Sequence, residues 1–306
     1  MYPILLELGP ITISSLWLFI SLAFVAGSLL FGRLAHKNRL NIDIIAGSGF
    51  KILLSTLVVS RAVFVITHIP LFFYAMDFGV VFDLFRIWDK GMSFWGAVAG
   101  FLWALYSITK KHGVPFQKWL DLFALSLSGS FIIGTVGTFL DGVNYGRATS
   151  LPWGVTFESP IVKYAVPIHP TQIYALLYSV IITILLLRLY REKRGNLDGM
   201  IFEYGVFLYA GFRFVEEFFR GDDVMSLFGI IRVPQIIALA VAVFMGRHLY
   251  KKRGHGENNE PLQRSYLLRI FTTFFSKARS SRSIEKKPIE QISEINHETK
   301  PTSTVS

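Results

Sequence analysis

Cysteine is absent from the 306 residues, which excludes disulfides, thiolate metal sites and a cysteine nucleophile. Charge is scarce too: charged side chains make up 17%, against roughly 25% in an ordinary soluble domain. No Walker loop, G-x-G-x-x-G, H-E-x-x-H or G-x-S-x-G occurs, so the common nucleotide, zinc-protease and hydrolase templates do not apply. What is present is apolar. Hydrophobic types reach 52%, with 28 Phe, and a chain of that composition is not disordered throughout. The net charge of +10 would suit nucleic acid, but the basic residues are bunched between long apolar runs. That pattern predicts a membrane protein with no nucleic-acid partner.

A helix needs about 20 mostly apolar residues to cross the ~30 Å hydrocarbon core. Seven segments offer this: roughly 15–32, 50–69, 92–109, 119–140, 171–190, 199–219 and 233–250. The expected fold is all-α, a polytopic bundle of seven transmembrane spans. The first run has no basic stretch before it and no A-x-A-like site after it, so it reads as a retained span. The fourth is rich in Gly, Ser and Thr, which suits close helix contact. Fifteen basic residues fall on one alternate set of loops and six on the other. Positive charge is retained on the cytoplasmic side, so the N-terminus is expected outside and the C-terminus inside. The membrane domain is expected over 1–253. The remainder, 254–306, reads as a basic cytoplasmic tail whose segment 265–279 can lie on the anionic leaflet as an interfacial helix, before a disordered end. A solvated tail with a few aromatics is the alternative reading of that segment.

Ionisable groups inside apolar spans are costly unless they face a partner or water. Arg61 lies near the middle of the second span, where it either snorkels to a structural partner or holds an anion. In the sixth span Arg213, Glu217 and Arg220 are spaced i, i+4, i+7 and would share one helix face, with Glu216 pointing away. Arg213 would then lie about 9 Å below the outer end of the span. Two guanidinium forks steadied by one carboxylate suit a phosphate; an ion pair locking two helices is the alternative. The loop before the fifth span is punctuated by Gly and Pro, so it reads as ordered turns. In it Arg147 follows Gly146, a residue that permits close backbone approach, and His169 and Gln172 open the next helix. His169 is either a capping group or a catalyst. No second ligand stands at metal spacing, so no metal or other cofactor is expected.

Taken in order, several segments resemble the prolipoprotein diacylglyceryl transferase family: SRAVFVI at 60–66, RIWDKGMSFWGAVAG at 86–100, GTVGTFLDGVNYGRATSLPWGVTF at 134–157, HPTQIYAL at 169–176, GMIFEYGVFLYAGFRFVEEFFRGDD at 199–223 and PQIIAL at 234–239. The resemblance spans about residues 1–250. It implies a multi-pass enzyme of the bacterial inner membrane that moves a diacylglyceryl group from phosphatidylglycerol to the lipobox cysteine of lipoprotein precursors. The matched positions imply catalytic roles for Arg213, Glu217, Arg220 and His169. They imply headgroup binding by Arg61, Arg147, Gly146, Ser93 and Gln172. Other family polar positions are replaced here: a histidine by Trp95, an arginine by Thr135, an asparagine by Thr138, and glutamates by Val143 and Ala175. The Tyr-Gly pair of the first span is replaced around Leu16 and Trp17. These losses leave two other readings open: a relative that binds anionic phospholipid but uses another acceptor, and a non-catalytic lipid-binding protein.

The topology is checked by placing a single thiol in the cysteine-free chain. Ala148→Cys is expected to react with a membrane-impermeant maleimide from the outer side; labelling from the cytoplasmic side alone would reverse the orientation.

Overall fold

Uninterrupted Leu, Ile, Val and Phe runs bounded by Gly, Pro and basic residues give long helices, and each of the seven apolar runs is helical. The computed structural model describes residues 3–8, 11–69, 91–156, 166–192, 197–222, 226–227 and 231–255. Among them a hairpin, β1 (Ile4–Leu8) and β2 (Ile11–Ser14), leads into α1 (Ser15–Lys37), whose first turn is capped by the Ser14 hydroxyl. A short α2 (Asp43–Ala46) precedes α3 (Gly49–Thr67), followed by α4 (Phe94–Lys111) and α5 (Phe116–Asp141). Then come α6 (Thr171–Glu192), α7 (Met200–Glu216), a second pair β3 (Ser226–Leu227) and β4 (Ile231–Arg232), and α8 (Val233–His255). The two antiparallel pairs are departures from the all-α expectation.

Five helices, α1, α3, α5, α6 and α8, are long and apolar enough to cross a membrane by length and composition. The remaining two fall short for visible reasons. At 17 residues α7 spans only about 25 Å, and it carries Glu203, Arg213 and Glu216. Helix α4 has 18 residues and closes on Lys110 and Lys111. The outward surface supports the membrane assignment independently, because Trp17, Phe24, Phe50, Ile66, Trp103 and Phe244 are all exposed. Water would penalise that exterior; hydrocarbon does not.

Residues Met1–Gly246 form one compact unit and Arg247–Ser306 a second, of which only the end of α8 is described. The expected interfacial segment 265–279 lies outside the described residues. Within the first unit α1 packs along α5, α3 along α4, and α5, α6 and α7 against one another. Small residues allow the close approach: Gly96 and Gly100 of α4 sit against Ser60, Val59 and Ser55 of α3, and Gly137 of α5 against Phe19 of α1. Helix α7 is fixed at its start by α5, since the buried Asp121 carboxylate accepts from the Gly199 and Phe202 amides at 2.8 and 2.9 Å. This leaves the opposite end of α7 to present its charged residues.

A Cβ at Gly100 would lie 2.6 Å from the Ser55 carbonyl oxygen and 2.9 Å from the Val59 Cβ. Gly100→Val is therefore expected to push α3 from α4 and to cost about 1–3 kcal/mol, read as a lower unfolding temperature in detergent.

Candidate active site

Three segments converge at the end of α7. After α5 ends in the left-handed Gly142, Asn144 also takes a positive φ of 62°. That turn directs the Asn144 carbonyl to the Thr171 hydroxyl, which donates to it at 2.5 Å, and brings the following residues between two other strands of chain. On one side the Arg147 amide donates to the Phe219 carbonyl at 2.8 Å and the Gly221 amide to Tyr145 at 3.0 Å. On the other the His169 amide donates to the Arg147 carbonyl at 2.9 Å. Gly146 is the crossing point. A Cβ there would lie 2.3 Å from the His169 carbonyl oxygen, so the close approach it allows is to its own chain. Gly221 meets Gly146 in the same way, at 2.4 Å.

Onto this frame the side chains bring an ion network. Arg213 pairs with Glu216 at 2.9 Å and with Glu217 at 2.7 Å. The second oxygen of Glu217 lies 3.1 Å from Nε of Arg232, which enters from β4. Arg232 also reaches Asp222 at 2.7 Å. Arg220 donates through Nε to Asp222 at 3.0 Å and through Nη2 to Asn144 Oδ1 at 2.7 Å, with a further close Nη2 contact to Asp222. The Tyr178 hydroxyl of α6 donates to Glu216 at 2.8 Å. Three guanidiniums thus face three carboxylates, and Glu217 is only 1% exposed. A carboxylate so buried is tolerable because both its oxygens face guanidiniums. Burial alone would raise the Asp222 carboxyl; hydrogen bonds from Arg220 and Arg232 outweigh it and hold the pKa at about 2.

The expectation from i, i+4, i+7 spacing is right about the cluster and wrong about its cause. The helix stops at Glu216, so Arg220 arrives through a turn and pairs by its main chain with Gly146. Glu216, expected to point away, is buried and bound to Arg213 and Tyr178. Arg213 stands in the last turn, about 4.5 Å from the helix end, where a cation also meets the negative end of the helix dipole. The spacing argument misses Asp222, Arg232, Asn144 and Tyr178. A signal for Arg232 was present, because an ionisable residue borders the last apolar run directly; it counts there only as loop charge.

The remaining expected residues fall in two groups. His169 is half-buried beside the crossing, its Nδ1 3.1 Å from the Tyr174 hydroxyl and its ring against Phe219. Burial lowers its pKa from the ordinary histidine value, which favours the neutral imidazole, the form able to take a proton. The Trp153 indole donates to the same Tyr174 hydroxyl at 2.9 Å. Gln172, 2% exposed, donates to the Val143 carbonyl at 2.8 Å. The exposed Arg147 donates through Nε to the Arg220 carbonyl at 3.0 Å. Arg61 and Ser93 meet elsewhere, around the turn into α4. There the buried Arg61 donates to the Gly91 carbonyl at 2.9 Å and lies over Phe64, while Ser93 exchanges bonds with Ser60 and caps Gly96. Thr135 and Thr138 satisfy their hydroxyls within α5, on Ile132 and Thr135 carbonyls, and Trp95 is exposed.

Apolar-surfaced helices with a dense guanidinium–carboxylate network at one helix end define an integral membrane protein with its charge gathered at one place. Residues 3–250 match the sequence profile of the prolipoprotein diacylglyceryl transferases, and the chain belongs to that family. Relatives named phosphatidylglycerol–prolipoprotein diacylglyceryl transferase include one from Vibrio atlanticus, 30% identical over 277 residues, which cover 85% of this chain and 95% of that protein. The Corynebacterium diphtheriae relative is 30% identical over 81% of this chain and 92% of its own length. The Campylobacter lari relative reaches 42% identity over 135 residues, less than half the length of either chain.

Glu217 is the shared partner of Arg213 and Arg232, so its removal strands two buried guanidiniums. Glu217→Ala is expected to cost about 3–5 kcal/mol, read by thermal unfolding in detergent micelles. An unfolding temperature equal to that of the unaltered protein would mean that the network adds nothing to stability.

Proposed function

We propose that this chain is a phosphatidylglycerol–prolipoprotein diacylglyceryl transferase of the bacterial inner membrane, with seven spans, an external N-terminus and a cytoplasmic C-terminus. Family membership and the names of its relatives support the reaction. The observation that carries the site is the network at the end of α7, from which Arg213 keeps 24% of its side chain exposed. The catalytic unit is 1–253, and 254–306 serves as a cytoplasmic tail.

The reaction asks little of the enzyme's own nucleophiles, because the lipoprotein precursor brings the cysteine. Its thiolate attacks the glyceryl carbon of the lipid, and a carbon–sulfur bond forms. The carbon–oxygen bond to phosphate breaks, and glycerol phosphate leaves with the electron pair. Two tasks remain. The first is charge neutralisation at the leaving phosphate, suited to Arg213 and Arg220, with Arg147 beside them. Their guanidiniums are held in place by Glu216, Glu217 and Asn144. The second is removal of the thiol proton, whose ordinary pKa is near 8.5. Neutral His169 is suited to this: with Nδ1–H given to the Tyr174 hydroxyl, Nε2 is left to accept the proton. Gly146 and Gln172 hold the crossing beside these arginines, while Arg61 and Ser93, at the turn into α4, offer a separate place for the headgroup.

The test mixes the purified protein with labelled phosphatidylglycerol and a lipobox peptide. Thioether-linked diacylglyceryl on the peptide cysteine is expected, and lipid binding without peptide labelling would refute the transferase reading. Arg213→Ala should lower transfer by on the order of 100-fold or more while the protein still inserts. Arg213→Lys should rescue poorly, because an ammonium does not reproduce the planar fork.

A further inference from the structure

Among the described residues the network is electrically closed, which raises a question about how it receives an anion. Three carboxylates already occupy three guanidiniums, so a phosphate entering the cluster must displace one of them. The carboxylates are not equivalent. Side-chain exposure is 3% for Glu216 and 0% for Glu217, but 22% for Asp222. Glu216 ends α7 and Glu217 follows it in the helical turn, whereas Asp222 lies beyond Gly221 in the loop.

Asp222, like the two glutamates, is shared by two arginines. Its Oδ1 is 3.0 Å from Arg220 Nε and 2.7 Å from Arg232 Nη2, and its Oδ2 contacts Arg220 Nη2. Two forks converging on a pair of oxygens is an arrangement suited to phosphate. Each fork has an anchor that does not involve the Asp222 carboxylate. Arg220 is held by Asn144 Oδ1 at 2.7 Å, and Arg232 by Glu217 at 3.1 Å. Arg232 Nη2 donates to the Asp222 main-chain carbonyl at 3.0 Å as well, so the loop stays tied when the carboxylate swings out. The departure leaves the two forks in place with one uncompensated positive charge facing the entering group.

We propose that Asp222 is an internal anion that fills the Arg220–Arg232 pair until a phosphate ester displaces it. Arg232 is thereby the second fork of a phosphate site that the Arg213–Glu217–Arg220 spacing does not reveal. The shared ligand chemistry is a phosphate oxyanion, from either the lipid phosphodiester or the glycerol phosphate that leaves. Apparent affinity is reduced by the fraction of molecules in which Asp222 occupies the forks. The inference rests on the transferase reading for its physiological ligand, while the exchange itself can be measured without turnover.

The experiment uses the full chain in phosphatidylcholine nanodiscs, titrated with glycerol phosphate, and separately assayed for the KM of phosphatidylglycerol. Asp222→Asn keeps the size of the side chain and removes its charge. It is expected to tighten glycerol phosphate binding on the order of tenfold and to lower the KM. A lower KM without tighter glycerol phosphate binding supports the exchange and identifies the lipid phosphodiester as the displacing group; the converse identifies the product. Asp222→Glu retains the competing charge and should not tighten glycerol phosphate binding, and Asp222→Ser repeats the test if the amide variant does not fold. Arg232→Gln in the Asp222→Asn background should abolish the gain. If Asp222 only braces the arginines, its neutral variants will bind phosphate equally or more weakly, and the proposal is overturned. An unaltered protein that transfers lipid while Asp222→Asn changes neither binding nor KM overturns the exchange alone. An unaltered protein without transfer, whose Asp222→Asn variant still binds glycerol phosphate more tightly, keeps the exchange and refutes the transferase reading.

Discussion

Bringing three guanidiniums and three carboxylates together at the end of α7 is the constraint around which the site is organised. Each of these ions alone would be costly near the hydrocarbon, and none is stable there without its neighbours. The partners come from separate parts of the chain: Arg213, Glu216 and Glu217 from α7 and its last turn, Arg220 and Asp222 from the following loop, and Arg232 from β4. Charge compensation therefore fixes where α7 stops, how its loop leaves it, and where the chain re-enters before α8. Tyr178 extends the same constraint to α6 through Glu216.

A second set of bonds, entirely main-chain, works with the first. The segment from Tyr145 to Arg147 lies between Phe219–Gly221 and Ile168–His169, and these bonds carry no charge. They set the distance between His169 and the arginines independently of any one side chain. The buried Asp121 does comparable work at the opposite end of α7 by receiving its first amides. The helix is thus held at both ends, one by a cap and the other by ions.

The helices were readily legible, because a run of twenty apolar residues has few other fates. The charged cluster was partly legible. Arg213, Glu217 and Arg220 stand out as ions in an apolar context, but a helical wheel extended past Glu216 misplaces Glu216 and gives Arg220 the wrong backbone. A helix end buried in a loop crossing leaves little local trace: the signal is the pair Gly146 and Gly221, 75 positions apart, whose meaning depends on contact in space. Arg232 and Asp222 were hidden for a similar reason, since their role arises from contact in space between residues ten positions apart rather than from periodicity. Arg61 illustrates the opposite case. Its place in an apolar span marks it at once as an ion needing partners, and the Gly91 carbonyl, which lies beyond the span, is one that spacing does not disclose.

The main-chain crossing at Gly146 has a bearing on how such an enzyme changes over generations. Because the crossing is stitched by amides and carbonyls, a nearby side chain can be exchanged without undoing it; Gln172 takes the Val143 carbonyl and asks nothing of the Val143 side chain. Only the two glycines are barred from growing. A lineage built on this clasp can vary the groups around it and keep the same cradle throughout. Chemistry becomes the variable part and geometry the inherited one.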